Sequence, residues 1–500
     1  MDGGGITFEV KETDLLGRIG RLEVQGKRVE TPYLFPVIHP VSQSIPPHEL
    51  AAMGFRGLMT NSLILYQRRR EEALEKGLHK LLGFDGLLMT DSGGYQVLEY
   101  GAVAVTYEEI AQFQAGIGSN LAVTLDRPTG DSTSKVRATE TMEYSLRNAK
   151  ATIERFGESR TVWVGPVQGG TFQDLLKRSA GEMVGAGFQL LALGSPVQIM
   201  ENYRFRDLVA MISATRRAVP YSTPLHLFGA GHPLTMALSV ALGCDTFDSA
   251  SYVLFARQGR YMTERGTLRL EEMEYLPCSC VSCRGSTATE FKEMERSELT
   301  HALSLHNLFL LQKEMESCKE AIVEGRLWDL VGERAAAHPR LYEAFRSLAT
   351  ESASLMVGTP RQKDKGLFVR NAVDFQRPEV KMAKSRLAGA KRRGARRAEI
   401  VTSDVENHRT PTQGKKGVDS FRLHPVFGAY PAELEFVYPF TQTVTSEEEA
   451  LRVKALGVAK RQLKAMGYSR VTVAEKGRPK SRRRPKGASL SPRSVSSRPR

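Results

Sequence analysis

From residue 30 to about 255 the chain repeats one pattern eight times: a short apolar run rich in β-branched residues, a Gly or polar residue, then a longer stretch with helical spacing. The runs are Thr31 to Ile38, Gly57 to Leu65, Gly86 to Thr90, Leu121 to Leu125, Thr161 to Val167, Phe188 to Leu193, Pro224 to Phe228, and Thr246 to Phe247 with its flanks. Strands covered on both faces read as continuous apolar runs. Helical stretches such as Glu140 to Arg155 and Phe172 to Val184 supply the crossovers that parallel strands need. Eight such units predict an α/β fold closed as a (β/α)8 TIM barrel, with a doubly wound sheet the alternative that periodicity alone leaves open. Polar residues end the runs: Asp91 follows Leu-Leu-Met-Thr, Asp126 follows Ala-Val-Thr-Leu, Gln168 follows Val-Gly-Pro-Val and Asp248 follows Thr-Phe. In a barrel the carboxyl ends of the strands form the catalytic face.

The length of 500 residues and an apolar content of 41% exclude a peptide hormone, a disulfide-stapled miniprotein and a wholly disordered chain. The net charge of +14 is concentrated: residues 381 to 397 hold eight basic and no acidic residues, and residues 476 to 500 hold ten and none. Without those blocks the chain is near neutral, so the basic segments are expected to face a polyanion or stay solvated. The start lacks the charged and apolar regions of a secretory signal, and no apolar run approaches the ~20 residues that span a bilayer. The expectation is a cytoplasmic chain with no membrane partner. The predicted organisation is a barrel over 1–270, a zinc-binding subdomain with closing helices (Ser297 to Glu316, Arg340 to Leu348) over 271–355, and a basic flexible linker over 356–420. A small α+β domain follows over 421–475, with Leu434 to Phe440 strand-like and Glu447 to Met466 helical, and then a disordered basic tail over 476–500.

The sharpest local signal is Cys278-x-Cys280-x-x-Cys283, followed after 22 intervening residues by His306. Three thiolates and one imidazole make a closed tetrahedral set, the pattern of one structural Zn2+ that leaves no position for water. His301 competes as fourth ligand, but on a helix it points about 140° away from His306, and His306 is preferred. Cys244 and Cys318 stand alone and read as buried fillers. Asp91-Ser-Gly-Gly-Tyr95-Gln is a compact acidic turn after a strand, suited to a flat ligand but equally to ordinary loop chemistry. Asp248 has the alternative of capping the next helix, and Asp126 that of pairing with Arg127. No His-x-His pair and no dinucleotide or Walker glycine fingerprint accompanies these carboxylates, so a carboxylate mechanism is the economical reading.

Taken in order, Asp91-Ser-Gly-Gly-Tyr-Gln, Val167-Gln-Gly-Gly, Leu191-Ala-Leu-Gly, His226-Leu-Phe-Gly-Ala-Gly-His-Pro, Phe247-Asp248-Ser-Ala and the Cys cluster with His306-Asn resemble the tRNA-guanine transglycosylases over residues 6 to about 350. Leu125-Asp-Arg-Pro-Thr, Ser249-Ala-Ser-Tyr, Gly259-Arg-Tyr-Met-Thr and Pro425-Val-Phe-Gly with Tyr438-Pro-Phe resemble the archaeal branch. That branch exchanges guanine 15 in the D-arm of tRNA for 7-cyano-7-deazaguanine, on the way to archaeosine. The resemblance implies that Asp248 is the nucleophile on the ribose and Asp91 the proton-shuttling carboxylate, the two-displacement logic of a retaining glycosidase. It further implies that Asp126 and Gln168 bind the purine edge, that Ser92 and the turn from Leu191 to Gly194 complete the pocket, and that Tyr95 stacks on the base. The implied partners are tRNA, guanine and 7-cyano-7-deazaguanine, with a homodimer expected. The archaeal pattern commonly ends in a PUA domain, which the basic tail does not resemble; two readings stay open, that the tail substitutes for it electrostatically or that a separate PUA-domain protein supplies it. Asn120, at a position usually acidic in the family, is assigned a structural role. A noncatalytic tRNA-binding accessory subunit and a transglycosylase acting at another tRNA position are the competing readings.

Overall fold

The computed structural model describes residues 5–94, 105–389, 392, 394–402, 416–445 and 448–474. Three antiparallel strands come first, β1 (Ile6–Asp14), β2 (Gly17–Val24) and β3 (Lys27–Thr31). Eight parallel strands follow: β4 (Tyr33–Ile38), β5 (Gly57–Asn61), β6 (Leu87–Asp91), β7 (Leu121–Val123), β8 (Val162–Val167), β9 (Leu190–Leu193), β10 (Leu225–Leu227) and β11 (Thr246–Ser249). They close into a barrel in chain order, with β11 returning to pair with β4 so that Asp248 stands opposite Phe35. Each expected run supplies one barrel strand. Gly57 to Leu65 differs in part, because Asn61 caps a helix (Ser62–Arg68) through its side chain and ends the strand there.

Period-two alternation divides the strand residues between two cores. Phe35, Met59, Leu87, Met89, Leu121, Val123, Val162, Val164, Leu190 and Ala192 fill one cluster, joined by Leu22, Val24 and Val29 from the leading sheet. Leu58, Leu88, Ala122, Leu191 and Leu225 lie in the larger cluster with the helices. Cys244 and Cys318 are both buried, as expected of fillers. Among the described residues no helix is long and apolar enough to cross a membrane.

After the barrel come a hairpin, β12 (Arg260–Thr263) and β13 (Gly266–Arg269), the Cys cluster, and helices Arg296–Val323 and Pro339–Leu348. The stretch expected to be a flexible linker over 356–420 differs: it carries a strand at Leu367–Val369, a helix at Pro378–Ala388 and strands at Arg397–Val401 and Val418–His424. Two of its cations are held by buried acids, some near and some far in sequence. The Lys363 ammonium is buried between Asp14 (2.8 Å) and Glu379 (2.6 Å), and the Arg377 guanidinium lies against Asp329 (3.0 Å) and Glu379 (3.3 Å). Burial pushes the Glu379 carboxyl up, but Arg377 and Lys363 outweigh it and hold it at about 2.

The chain forms two compact units, residues 1–384 with 442–444, and residues 385–441 with 445–500. The second contains a four-stranded sheet ordered Gly428–Pro431, Val418–His424, Arg397–Val401, Arg470–Ala474, with helix Glu448–Ala465 supplying Ala459 and Leu463 to its core. The α+β character expected for 421–475 is present, but the sheet already includes Arg397–Val401. Leu434 to Phe440 is not a strand: a short 3-10 turn (Ala432–Leu434) leads into turns, because buried Glu435 reaches back to Arg422 at 2.9 Å. The tail expected to be disordered lies outside the described residues.

Candidate active site

Every polar residue expected at a strand end sits at the carboxyl mouth of the barrel. Asp91 ends β6, Asp126 lies three residues past β7, Gln168 follows β8, Gly194 follows β9 and Asp248 lies within β11. Asp91, Asp126, Gln168, Gly194 and Asp248 all line one cavity of about 1300 Å3. Ser92 is buried beside them, and among the described residues its hydroxyl has no hydrogen-bond partner. An orphaned buried hydroxyl costs stability, so this one fits a group that a ligand would satisfy. Leu191 is not among the cavity walls; it points from mid-β9 into the core with the helices. Tyr95 lies outside the described residues.

The two outer aspartates have different surroundings. Asp248 Oδ1 accepts from the Gly229 backbone N–H (2.9 Å) and lies 3.0 Å from His226 Nε2, while His226 Nδ1 lies 3.0 Å from Thr246 Oγ1. A carboxylate only accepts, so Nε2 donates to Asp248, and the Thr246 hydroxyl faces the ring's other nitrogen. Asp248 does not cap the following helix (Ser251–Arg257), whose N-cap position is Ala250. Asp91 Oδ2 accepts from Asn61 Nδ2 at 3.0 Å, and Asn61 is itself fixed by its N-cap bond from Ile64 N at 2.9 Å. Burial first, then the Asp126 and Asp248 carboxylates, push the Asp91 carboxyl up to about 7, against the opposing pull of the Gly93 and Ser92 backbone N–H groups. The arrangement therefore offers one carboxylate held by two donors and one carboxyl that holds a proton near neutral pH.

Between them lies a polar edge. Gln168 Nε2 donates to Asp126 Oδ2 at 2.6 Å, and Gln168 Oε1 accepts from Ser195 Oγ (2.9 Å) and Thr129 N (3.3 Å). Burial pushes the Asp126 carboxyl up to about 6, opposed by the Gln168 bond. Arg127 is not its partner and stacks on Tyr144 instead, 4.1 Å from the ring centroid. Glycine at 194 leaves room for the Gln168 amide as it is bonded here: a Cβ there would lie 2.1 Å from Gln168 Nε2 and displace it. Asn120 has the structural role assigned to it, accepting from Leu88 N (2.9 Å) and donating to Gln25 Oε1 (3.0 Å).

Cys278, Cys280, Cys283 and His306 come together with all ligand atoms within 4.8 Å of one another. Tetrahedral donors about a metal with ~2.3 Å sulfur bonds stand ~3.8 Å apart, so the set can hold a metal ion with no open position. His306 Nδ1 faces Cys280 (3.6 Å) and Cys283 (3.4 Å), while Nε2 is fixed by the Met262 carbonyl at 2.9 Å. His301 turns away and pairs with Glu49 at 3.0 Å. Asn307 binds Met262 N, Tyr252 O and Arg260 O, so the metal-bearing helix also holds the segment that follows Asp248.

The family model described as queuine tRNA-ribosyltransferase matches residues 13–340. The chain belongs to this family. By that membership it is a pentosyltransferase, and the barrel with its Cys-His cluster is the family's fold. It is 40% identical over 443 residues to the tRNA-guanine(15) transglycosylase of Thermococcus onnurineus, covering 88% of this chain and 72% of that one. The protein of the same name from Methanosarcina mazei is 42% identical over 440 residues, 87% of each chain, and that from Aeropyrum pernix 38% over 461 residues, 90% of each. His226 and Asn61 were not singled out from the sequence as site residues. A lone His or Asn in an apolar run reads as core, and only the pairing of β10 with β11 and of β5 with β6 sets each beside its aspartate.

Proposed function

We propose that this chain exchanges guanine 15 of tRNA for 7-cyano-7-deazaguanine through a covalent ribosyl-aspartyl intermediate, the committing step toward archaeosine. The observation that carries the reading is the unequal aspartate pair: Asp248 is held by Gly229 N and His226, and Asp91 is pushed up to about 7.

With Oδ1 engaged, Asp248 Oδ2 is assigned the attack on C1′ of the ribose. The C1′–O bond forms as the C1′–N9 bond breaks, the bonding pair leaves with guanine, and the Asp91 proton goes to the departing base. Asp91, now a carboxylate, takes the proton from the incoming deazapurine, whose N9 attacks C1′ and expels Asp248. Two displacements retain the sugar's configuration. Asp126 accepts from the ring N–H and exocyclic amine of the base, with Gln168 and Ser92 completing its edge. Adenine lacks that donor pair and is rejected. The base reaches these groups only when turned out of the folded arm.

The ion suited to Cys278, Cys280, Cys283 and His306 is Zn2+, which would hold the closing segment together and take no part in the chemistry. The test is incorporation of radiolabelled guanine into a tRNA transcript, with the exchanged position read by mass spectrometry. Wild type should exchange at position 15 and Asp248→Asn should not. A wild type that binds tRNA but exchanges nothing would make the chain an accessory subunit instead.

A further inference from the structure

The cavity is much larger than one purine. At about 1300 Å3 it exceeds the ~300–1,000 Å3 of pockets that enclose whole drug-sized ligands. Besides the aspartates its wall carries Tyr203, Phe205 and His338. The Tyr203 and His338 rings are stacked, with centroids 4.9 Å apart and planes at 20°, and Phe205 meets both edge-on at 5.8 and 6.2 Å. His338 cannot swing freely, because its Nδ1 caps helix Pro339–Leu348 by accepting from Arg340 N at 3.2 Å. Tyr203 nevertheless stays 50% exposed.

The backbone at Tyr203 is unusual for such a side chain. Helix Pro196–Glu201 ends in a Schellman turn, with Tyr203 N donating to Met200 O (3.0 Å) and Arg204 N to Ile199 O (2.9 Å). The residue at the turn's left-handed position is ordinarily glycine, yet here it is Tyr203 with φ +54°. A large aromatic in a strained position, half exposed and backed by a fixed ring, is built to present its face. Arg260, whose guanidinium lies 3.6 Å from the Phe255 ring centroid, lines the same cavity, as do Arg257 and Arg265. Aromatic faces interleaved with cations are the means by which single-stranded nucleic acid is held without reading its sequence.

We infer that Tyr203, backed by His338, is a stacking subsite for the nucleobase adjacent in the RNA to the extruded guanine. The inference rests on the base-exchange reading for the identity of the RNA. The subsite tolerates any base because every base offers a π-face, and it holds the opened strand while the neighbouring base reacts.

The test uses the full chain and tRNA transcripts with an intact, abasic or 2-aminopurine residue at position 14 or 16. Tyr203→Ala should raise KM for tRNA about 5- to 140-fold with kcat little changed, and Tyr203→Phe or Tyr203→Trp should restore it. On the transcript lacking the stacked base the Tyr203→Ala penalty should vanish. An unchanged KM, or the same penalty on intact and abasic tRNA, would overturn the subsite. Fluorescence separates the two readings: 2-aminopurine quenched by wild type but not by Tyr203→Ala supports the subsite even if exchange is absent. Equal quenching by both overturns it even if exchange proceeds.

Discussion

His226 Nε2 lies 3.0 Å from Asp248 Oδ1, and the same ring is anchored at its other nitrogen by Thr246 Oγ1, 3.0 Å away. The imidazole is fully buried, and in the proposed exchange its part is to orient the carboxylate. His226→Ala should lower kcat for guanine exchange by about 10²-fold, the cost of a misplaced reacting group, with KM for tRNA little changed. His226→Gln, which keeps a donor, should recover part of the loss. Steady-state exchange kinetics read both.

The carboxyl states predict a narrow pH window. Binding of guanine by Asp126 needs the carboxylate and should weaken as pH falls through about 6. Release of guanine needs protonated Asp91 and should slow as pH rises through about 7. Asn61 donates to Asp91 Oδ2 and favours its charged form, so Asn61→Ala should move the upper limb to higher pH. The sign for stability follows: with its folded value raised above an ordinary ~3.9, Asp91 contributes stability that is full below ~4 and lost as pH rises through about 7. Single-turnover rates across pH measure the limbs.

Gly194→Ala places a methyl 2.1 Å from Gln168 Nε2. Relief of that clash costs about 1–3 kcal/mol and breaks the Gln168–Asp126 bond. Guanine KM should rise at least tenfold, with a lowered melting temperature in the same preparation.

Lys363→Met should destabilise the fold by about 3–5 kcal/mol, because Asp14 would remain buried without its cation while Glu379 would keep Arg377 alone. Denaturant titration gives the value. A loss under 1 kcal/mol would show that Asp14 finds another partner.

Chelation of the ion proposed for Cys278, Cys280, Cys283 and His306 should lower the melting temperature, and Cys283→Ser should reproduce the effect. Exchange activity should fall with the loss of fold rather than ahead of it, as followed by melting and activity on one chelator series.

The barrel was legible in the sequence because its strands are covered on both faces. Leu87 to Met89 and Leu190 to Leu193 leave no polar residue to mislead, and Asp91 and Gly194 mark where they stop. The metal set was legible because short spacing confines three thiols to one place. The stretch over 356–420 was misread because composition counts cations and cannot see their partners: Lys363 pairs with Asp14, 349 residues away. Leu434 to Phe440 was misread because its apolar residues do not share a buried face, Phe436 being 69% exposed. His226 and Asn61 were passed over for a related reason, since each matters only through a neighbour that strand register supplies.

Asp91 sits on the third strand of the barrel and Asp248 on the eighth, the strand that completes the ring by pairing with the first. No shorter run of the chain contains both halves of the pair in one closed wall. The two carboxyls therefore share one closed wall only through the pairing of Thr246–Ser249 with β4, so the contact that closes the ring is also the one that completes the pair.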